Sequence, residues 1–411
     1  MSRKRFSEHL NAKRIRMINK PFDLISKDDI ESLILNSVSE SKTLEYKEAL
    51  PGNADDDKRE FLADISSFAN ASGGILIYGI REHRDGNGKT TGLPETIVGL
   101  GSINTDQEIR RLDSILQTGI SRRIIGLQIK VIDCLSSGVV LLIRVPASWN
   151  APHMVTFKNW SRFFSRNNAG KYQLDVDELR IAFVASESLR EQIRQFRVER
   201  VAKLIAEEGP TKLPPGPKLM LHLIPIATFG SSEQVDIRAI ARTDKPMPPG
   251  RVHAWNERFN LDGFLTFAEI NRESNESYSY AQLFRNGAIE AALPLACMGN
   301  KPLIGSSYEP NLLQDLSDYL HLMQKLAINP PIIIFVTLVG VKGYTVGNNS
   351  YNLYPFARNE IDRDVLIIPE ASLEDYSVVL EDAMRPSFDA VWQASGREGS
   401  PNYDKAGKWK S

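Results

Sequence analysis

The chain has 411 residues, of which 42% are hydrophobic and 25% charged, and its formal net charge is −1. This composition is ordinary for a globular protein, and the length allows two domains with cores of their own. No run approaches eighteen apolar residues, and the charged N-terminus lacks an apolar core. We therefore expect no transmembrane helix, no signal peptide, no membrane contact and a cytoplasmic location.

The N-terminus is strongly basic. Residues 1–20 contain seven lysines and arginines and a single acid, Glu8. Two interpretations of this arm, residues 1–22, stay open: a solvated tail, or an electrostatic contact to phosphates. The two cysteines, Cys134 and Cys297, lie far apart in apolar surroundings, which favours buried, reduced thiols. No spacing typical of a four-ligand zinc site is present.

The first elements form a predicted helix followed by a strand–helix–strand unit. Ser26 and Asp29 can form a capping box that opens a helix through Ile34. Residues 43–48 alternate like a strand, which places Glu45 and Lys47 on one face. A helix over 56–71 follows, with residues 55–57 as cap candidates. Gly73-Gly74 ends it, and residues 75–80 form a buried strand.

The rest of the first domain continues as alternating strands and helices. The pattern predicts a turn at 84–89 between two strands, an amphipathic helix over 105–117, and an antiparallel pair at 124–133 and 139–145. A short strand at 162–165 precedes a long helix over 176–208. This helix closes a domain that we place at residues 23–208.

Residues 209–217 are rich in proline and glycine and read as a linker. A second domain is expected over 218–394, with strands at 219–227, 263–270, 332–341 and 365–368. Helices are expected at 312–326 and 373–392. Residues 395–411 turn polar and glycine-rich, which predicts a flexible tail. The fold class is α+β: a mixed α/β domain, a long helix and a second α+β domain.

The strand–helix–strand unit gathers four charged residues, Glu40, Glu45, Lys47 and Glu82. Three carboxylates and one lysine are what a divalent metal ion and a phosphodiester require. In that interpretation the carboxylates hold the metal and Lys47 neutralises charge that develops on the phosphate. The alternative is that Glu45 and Lys47 pair on one face of a strand as a structural contact.

A later segment interleaves basic and aromatic residues. Trp160 and Phe164 can belong to the core, whereas the polar residues are placed to meet a sugar-phosphate backbone. The predicted nucleic-acid-binding residues are Lys158, Arg162, Arg166, Asn168 and Lys171.

Three patterns together carry a resemblance to a known family. They are the Glu-x-x-x-x-Glu-x-Lys run from Glu40, the Phe-Ala-Asn-x-x-Gly-Gly run from Phe68, and the apolar strand that ends in Gly79-Ile80. The chain resembles the Schlafen AlbA_2 domain, of the bacterial type, over roughly residues 22–200. The resemblance implies nucleic-acid binding. In animal members two glutamates and an aspartate form a metal-dependent ribonuclease site.

Carried over by position, the two glutamates fall on Glu40 and Glu45, the lysine on Lys47 and the aspartate on Glu82. The last match is a departure, since glutamate is one methylene longer. The resemblance thus implies a metal site at Glu40, Glu45 and Glu82 that holds Mg²⁺ or Mn²⁺.

The predicted function is therefore a metal-dependent endoribonuclease that acts on structured RNA such as tRNA, with RNA favoured over DNA and a role in stress or anti-phage defence. Animal Schlafens embrace RNA with two such lobes and this chain has one, so we expect a homodimer. Two alternatives stay open: a non-catalytic DNA- or RNA-binding regulator, and a nucleotide-dependent switch. The switch lacks a Walker glycine, because His83 takes its place. The second domain offers no catalytic constellation.

Overall fold

A computed structural model describes residues 22–134, 138–229, 234–242, 247–250, 252–271, 273, 275–295, 303–347 and 360–410. The basic arm, apart from Phe22, and Cys297 lie outside these residues. The chain divides into two compact units, Met1–Arg190 and Glu191–Ser411. The division falls inside the long helix, not at the predicted linker 209–217.

Unit 1 contains the predicted strand–helix–strand unit and most of the elements expected after it. Its helices are α1 (Lys27–Leu35), α2 (Asp55–Ala69), α3 (Thr105–Gly119) and the first part of α4 (Val176–Ile205). Its strands are β1 (Leu44–Lys47), β2 (Gly74–Tyr78), β3 (Ile80–Arg84), β4 (Thr90–Ile97), β5 (Ile120–Ser121), β6 (Gln128–Asp133), β7 (Val139–Val145), β8 (Met154–Phe157), β9 (Trp160–Asn167) and β10 (Gly170–Gln173).

The central sheet of unit 1 has the order β1-β2-β7-β6, with β1 and β2 parallel and the other pairs antiparallel. One face packs on α1 through residues such as Leu44 and Ile30. The other face packs on α2 and α3 through residues such as Leu76, Phe61 and Leu112. Because β2 is covered on both faces, its sequence is a continuous apolar run.

Two further strand groups complete unit 1. Strands β10-β9-β8-β5 form an antiparallel sheet, and β9 lies against α2. Strands β3 and β4 form a hairpin around the predicted turn at 84–89. The capping box of Ser26 and Asp29 is present at α1. The aspartates expected to cap α2 lie instead in its first turn, since Ala54 is the N-cap. In the first turn their negative charges still interact favourably with the helix dipole and stabilise α2.

Unit 2 is built on one large antiparallel sheet with the order β12-β13-β14-β15-β11-β17-β19, to which β20 adds by pairing with β17. Its strands are β11 (Lys218–Pro225), β12 (Asn256–Phe259), β13 (Gly263–Asn271), β14 (Glu276–Phe284), β15 (Ile289–Pro294), β16 (Leu303–Gly305), β17 (Ile332–Val339), β18 (Thr345–Gly347), β19 (Val365–Ile367) and β20 (Ala371–Leu373). Its own helices are α5 (Ile226–Phe229), α6 (Tyr308–Lys325) and α7 (Leu380–Gln393).

Two expectations for unit 2 were wrong. The helix predicted from Leu373 begins only at Leu380, because Leu373 ends β20. The segment predicted as a flexible tail packs against the core. Ser400 donates to the buried Glu309 carboxylate (2.6 Å), and Trp409 packs against the same core as the buried Tyr403. Within the described residues, no helix is long and apolar enough to cross a membrane.

A buried charged group fixes the second part of α4 to the sheet of unit 2. Arg200 donates to both carboxylate oxygens of Glu290 (2.6 and 2.7 Å). His222 and Tyr280 contact the same carboxylate at 3.1 and 2.9 Å. Burial of Glu290 is complete, which would raise its pKa, but Arg200 and His222 together lower its pKa to about 2.

This carboxylate makes the stability of unit 2 depend on pH. A depressed pKa stabilises the fold above its unfolded value, and that stability is lost as the pH falls toward the folded value. For Glu290 we expect a loss of roughly 3 kcal/mol between about pH 5 and pH 2. Urea titrations across this range should show a flatter pH dependence for Glu290→Gln than for the wild type.

The matched control is Glu257→Gln, which neutralises an exposed acid on β12. It should retain the wild-type pH dependence. An unchanged pH dependence in Glu290→Gln would contradict the assignment.

Candidate nucleic-acid interface and acidic site

Strand β1 places two charged residues on the face that α2 covers. Leu44 and Tyr46 are buried toward α1, so the alternation of the strand turns Glu45 and Lys47 to the opposite face. There the Lys47 ammonium lies 2.8 Å from Glu45 Oε1. This ion pair is the structural contact between Glu45 and Lys47 that was the alternative to a catalytic role.

Glu45 has a second cationic partner from a distant strand. Arg166 of β9 lies 2.8 Å from Glu45 Oε2, and its side chain is only 4% exposed. Its guanidinium stacks on the Phe68 ring of α2 at 3.7 Å. Burial alone would raise the pKa of Glu45, but Lys47 and Arg166 hold that pKa below its usual value. Glu45 is therefore an ionised, doubly paired carboxylate.

Sequence reasoning missed Asp64, the most buried acid of this site. Its side chain is 3% exposed, and its two oxygens lie 3.3 Å from Lys47 Nζ and 2.7 Å from Lys171 Nζ. The sequence did carry a signal for it. Asp64 lies on the stripe of α2 that faces the interior, one turn after Glu60 and one turn before Phe68, where a charged residue is unusual. Asp64 and Glu45 together raise the pKa of Lys47, although burial opposes them.

Glu40 and Glu82 meet beside Gly92 of β4. The Glu40 carboxylate accepts the Tyr46 backbone N–H (2.8 Å), and the Glu40 N–H donates to the Gly92 carbonyl (2.7 Å). Glu82 hydrogen-bonds to the Gly92 backbone as well. Gly92 was another residue that the sequence did not single out, because its role depends on how the β3–β4 hairpin lies against Glu40.

The structure brings all four predicted site residues together, with unequal charge states. Burial, with the charges of Glu82 and Glu45 beside it, raises the pKa of Glu40 to about 7. Burial also raises the pKa of Glu82. The site therefore combines a doubly paired carboxylate, Glu45, with two carboxyls whose protons are held more tightly than usual.

As arranged, these residues do not fit a divalent metal ion. Both oxygens of Glu45 are engaged by cations, one of which, Arg166, is fixed by stacking. Across the residues that the structure describes, no three Asp, Glu, His or Cys side chains are grouped to hold a metal. A metal at this site would require Glu45 to release Lys47 or Arg166.

The five predicted nucleic-acid contacts lie on the β8–β10 sheet in different environments. Arg162 and Asn168 are exposed, whereas Arg166 is buried and pairs with Glu45. Lys158 lies in the β8–β9 turn and pairs with Asp55 at 2.7 Å, and Lys171 pairs with Glu60 at 2.7 Å in addition to Asp64. The aromatics Trp160 and Phe164 pack against the core.

The Phe-Ala-Asn-x-x-Gly-Gly run holds this sheet against α2. The Asn70 amide donates to the carbonyls of His153 and Phe164 (2.9 and 2.8 Å) and accepts the His153 N–H (2.6 Å). Gly73 has φ +66°, and a Cβ at Gly74 would lie 2.6 Å from the Thr43 carbonyl. A side chain at Gly74 is thus excluded by the residue that precedes β1 and by the Phe68 ring of α2.

A family described as Schlafen, AlbA_2 matches residues 40–175. This part of the chain is a Schlafen AlbA_2 domain. The match covers the acidic site, the α2 helix and the whole β8–β10 sheet. Membership of the AlbA_2 family suggests nucleic-acid binding. No curated protein matches the chain.

Two solved structures are similar to part of the chain. The crystal structure of the DIP2311 protein from Corynebacterium diphtheriae is 19% identical, covers 36% of this chain and 26% of its own, and has a TM-score of 0.24. The solution structure of the N-terminal domain of a RecG-related protein from Nitrosomonas europaea is 21% identical, covers 37% and 95%, and has a TM-score of 0.27. This chain thus spans about a quarter of the first of these proteins.

Proposed function

We propose that the AlbA_2 domain binds nucleic acid along β8–β10, with RNA favoured over DNA. The observation that carries this proposal is Arg162. It is exposed, its guanidinium donates to the neighbouring Ser161 carbonyl, and it forms no ion pair with a carboxylate of the described residues. An exposed arginine without an acidic partner is available for a phosphate.

The residues around Arg162 support the same surface. Asn168 is exposed and can bond to sugar or phosphate, and Lys158 lies in the turn that precedes β9. Arg162 and Arg166 share one face of β9 because side chains alternate along a strand. Arg166 occupies the buried end of this face, where it pairs with Glu45, and Lys171 stands opposite it on β10.

The test is a binding titration with Arg162→Ala. We expect its affinity for a labelled single-stranded RNA to fall roughly threefold to tenfold. The slope of log K against log salt should become shallower by about 0.7, because one phosphate contact is lost. Fluorescence anisotropy at several KCl concentrations measures both quantities, and DNA of the same sequence tests the RNA preference.

The control is Arg110→Ala, which removes an exposed arginine from α3 and changes the net charge equally. It should bind as the wild type does. Equal losses in both variants would reduce the effect to net charge and overturn the assignment of this surface.

A metal-dependent endoribonuclease in stress or anti-phage defence is the second candidate function, with Mg²⁺ or Mn²⁺ as cofactor. One observation favours it: Glu40, Glu45 and Glu82 lie close enough to act on each other's charge, beside Lys47. The paired state of Glu45 weighs against it. Catalysis would need this carboxylate free of at least one of its cations.

Cleavage of total tRNA with Mn²⁺ or Mg²⁺, beside Glu45→Ala and an EDTA control, separates the two candidates. The nuclease predicts cutting that requires the metal and disappears in the variant. A non-catalytic binding protein predicts intact tRNA in every lane together with a gel shift that EDTA leaves unchanged. Cutting retained by Glu45→Ala would remove this site from the reaction.

The homodimer remains a proposal that rests on the one stretch, residues 40–175, that matches the AlbA_2 family. A dimer would present two AlbA_2 surfaces to one structured RNA. Sedimentation velocity at micromolar concentration should give the mass of two chains. A strict monomer, with and without RNA, would contradict the proposal.

A further inference from the structure

Helix α2 covers both lysines of the interface with carboxylates. Asp55, in its first turn, binds the Lys158 ammonium through both oxygens, at 2.7 Å each. One and a half turns later, Glu60 binds the Lys171 ammonium at 2.7 Å. Two of the residues predicted to meet phosphates are therefore already occupied by acids of the same domain.

These acids differ sharply from Asp64 in their exposure. The side chains of Asp55 and Glu60 are 40% and 62% exposed, whereas that of Asp64 is 3% exposed. Water and salt reach these two acids and screen their attraction to the lysines, so each pair contributes little to stability. Asp55 and Glu60 can thus be displaced by a competing anion, while Asp64 keeps Lys171 in place.

We propose that Asp55 and Glu60 form a carboxylate cover, a pair of internal counter-ions that occupy Lys158 and Lys171 until the phosphates of a nucleic-acid backbone replace them. This inference rests on the nucleic-acid binding proposed above and deepens it. It identifies the feature that is recognised: a polyanion able to supply a phosphate to each lysine.

The cover acts on selectivity as well as on affinity. A mononucleotide carries its phosphates at one point and can displace one acid, whereas a backbone displaces both and releases counter-ions along its length. The cover therefore lowers the affinity for all anions, and a strand that supplies a phosphate to each lysine replaces both lost contacts, whereas a mononucleotide replaces one. Asp55 lies in the first turn of α2, so the helix dipole stabilises its negative charge after Lys158 has moved to a phosphate.

The deciding experiment is the RNA titration with Glu60→Gln. This change keeps the size of the side chain and removes the charge that Lys171 holds. We expect the affinity to rise roughly twofold to fivefold, the change that an exposed ion pair accounts for. The salt slope should steepen by about 0.7, because Lys171 then adds a phosphate contact.

Two further variants make the result specific. Asp106→Asn neutralises an exposed acid in the first turn of α3 and should leave affinity and slope unchanged. Adding Lys171→Met to Glu60→Gln should abolish the gain. Asp55→Asn should raise the affinity through Lys158 in the same way and gives an independent test of the cover.

The outcomes separate this inference from the function on which it rests. If the wild type binds RNA and Glu60→Gln matches Asp106→Asn in affinity and slope, the cover is overturned while the nucleic-acid interface stands. An equal gain in both variants overturns the cover too, since net charge then explains it. If neither the wild type nor the two cover variants bind RNA or DNA, both proposals fall.

Discussion

The need to pair buried charges determines how the elements pack at the centre of the AlbA_2 domain. A buried carboxylate without a partner is costly, so Glu45 and Asp64 must each meet cations. Their partners come from three different elements: Lys47 from β1, Arg166 from β9 and Lys171 from β10. The position of the second sheet on α2 is therefore coupled to the charge state of the site, and neither can be altered alone.

The sequence motif that marks the family has a structural explanation in this chain. Asn70 ties the end of α2 to β9 and to the residue before β8, and Gly74 leaves room for the Phe68 ring and the Thr43 carbonyl. The second glutamate and the lysine of the motif are engaged in ion pairs. A motif of this kind can thus arise from the packing of the domain, which is why its presence supports the fold more strongly than it supports a reaction.

Local patterns predicted the elements well, and long-range partners could not be predicted. The strand at Glu45, helix α2 and the strand after Gly73-Gly74 follow from periodicity and glycine, which act over a few residues. The partner of Arg166 lies far away in the sequence and depends on how β9 meets α2. Arg166 therefore looked like a surface arginine of a basic segment, although it lies in the interior.

The buried pair of Arg200 and Glu290 bears on where the second unit begins. Judged by composition, the natural point to separate the units is the proline-rich stretch at 209–217. A fragment that starts there would lack Arg200 and would leave the fully buried Glu290 without its main cation, a loss of about 3–5 kcal/mol for a broken buried pair. The last turns of α4 are thus an integral part of the second folding unit, and a boundary chosen by sequence alone would remove them.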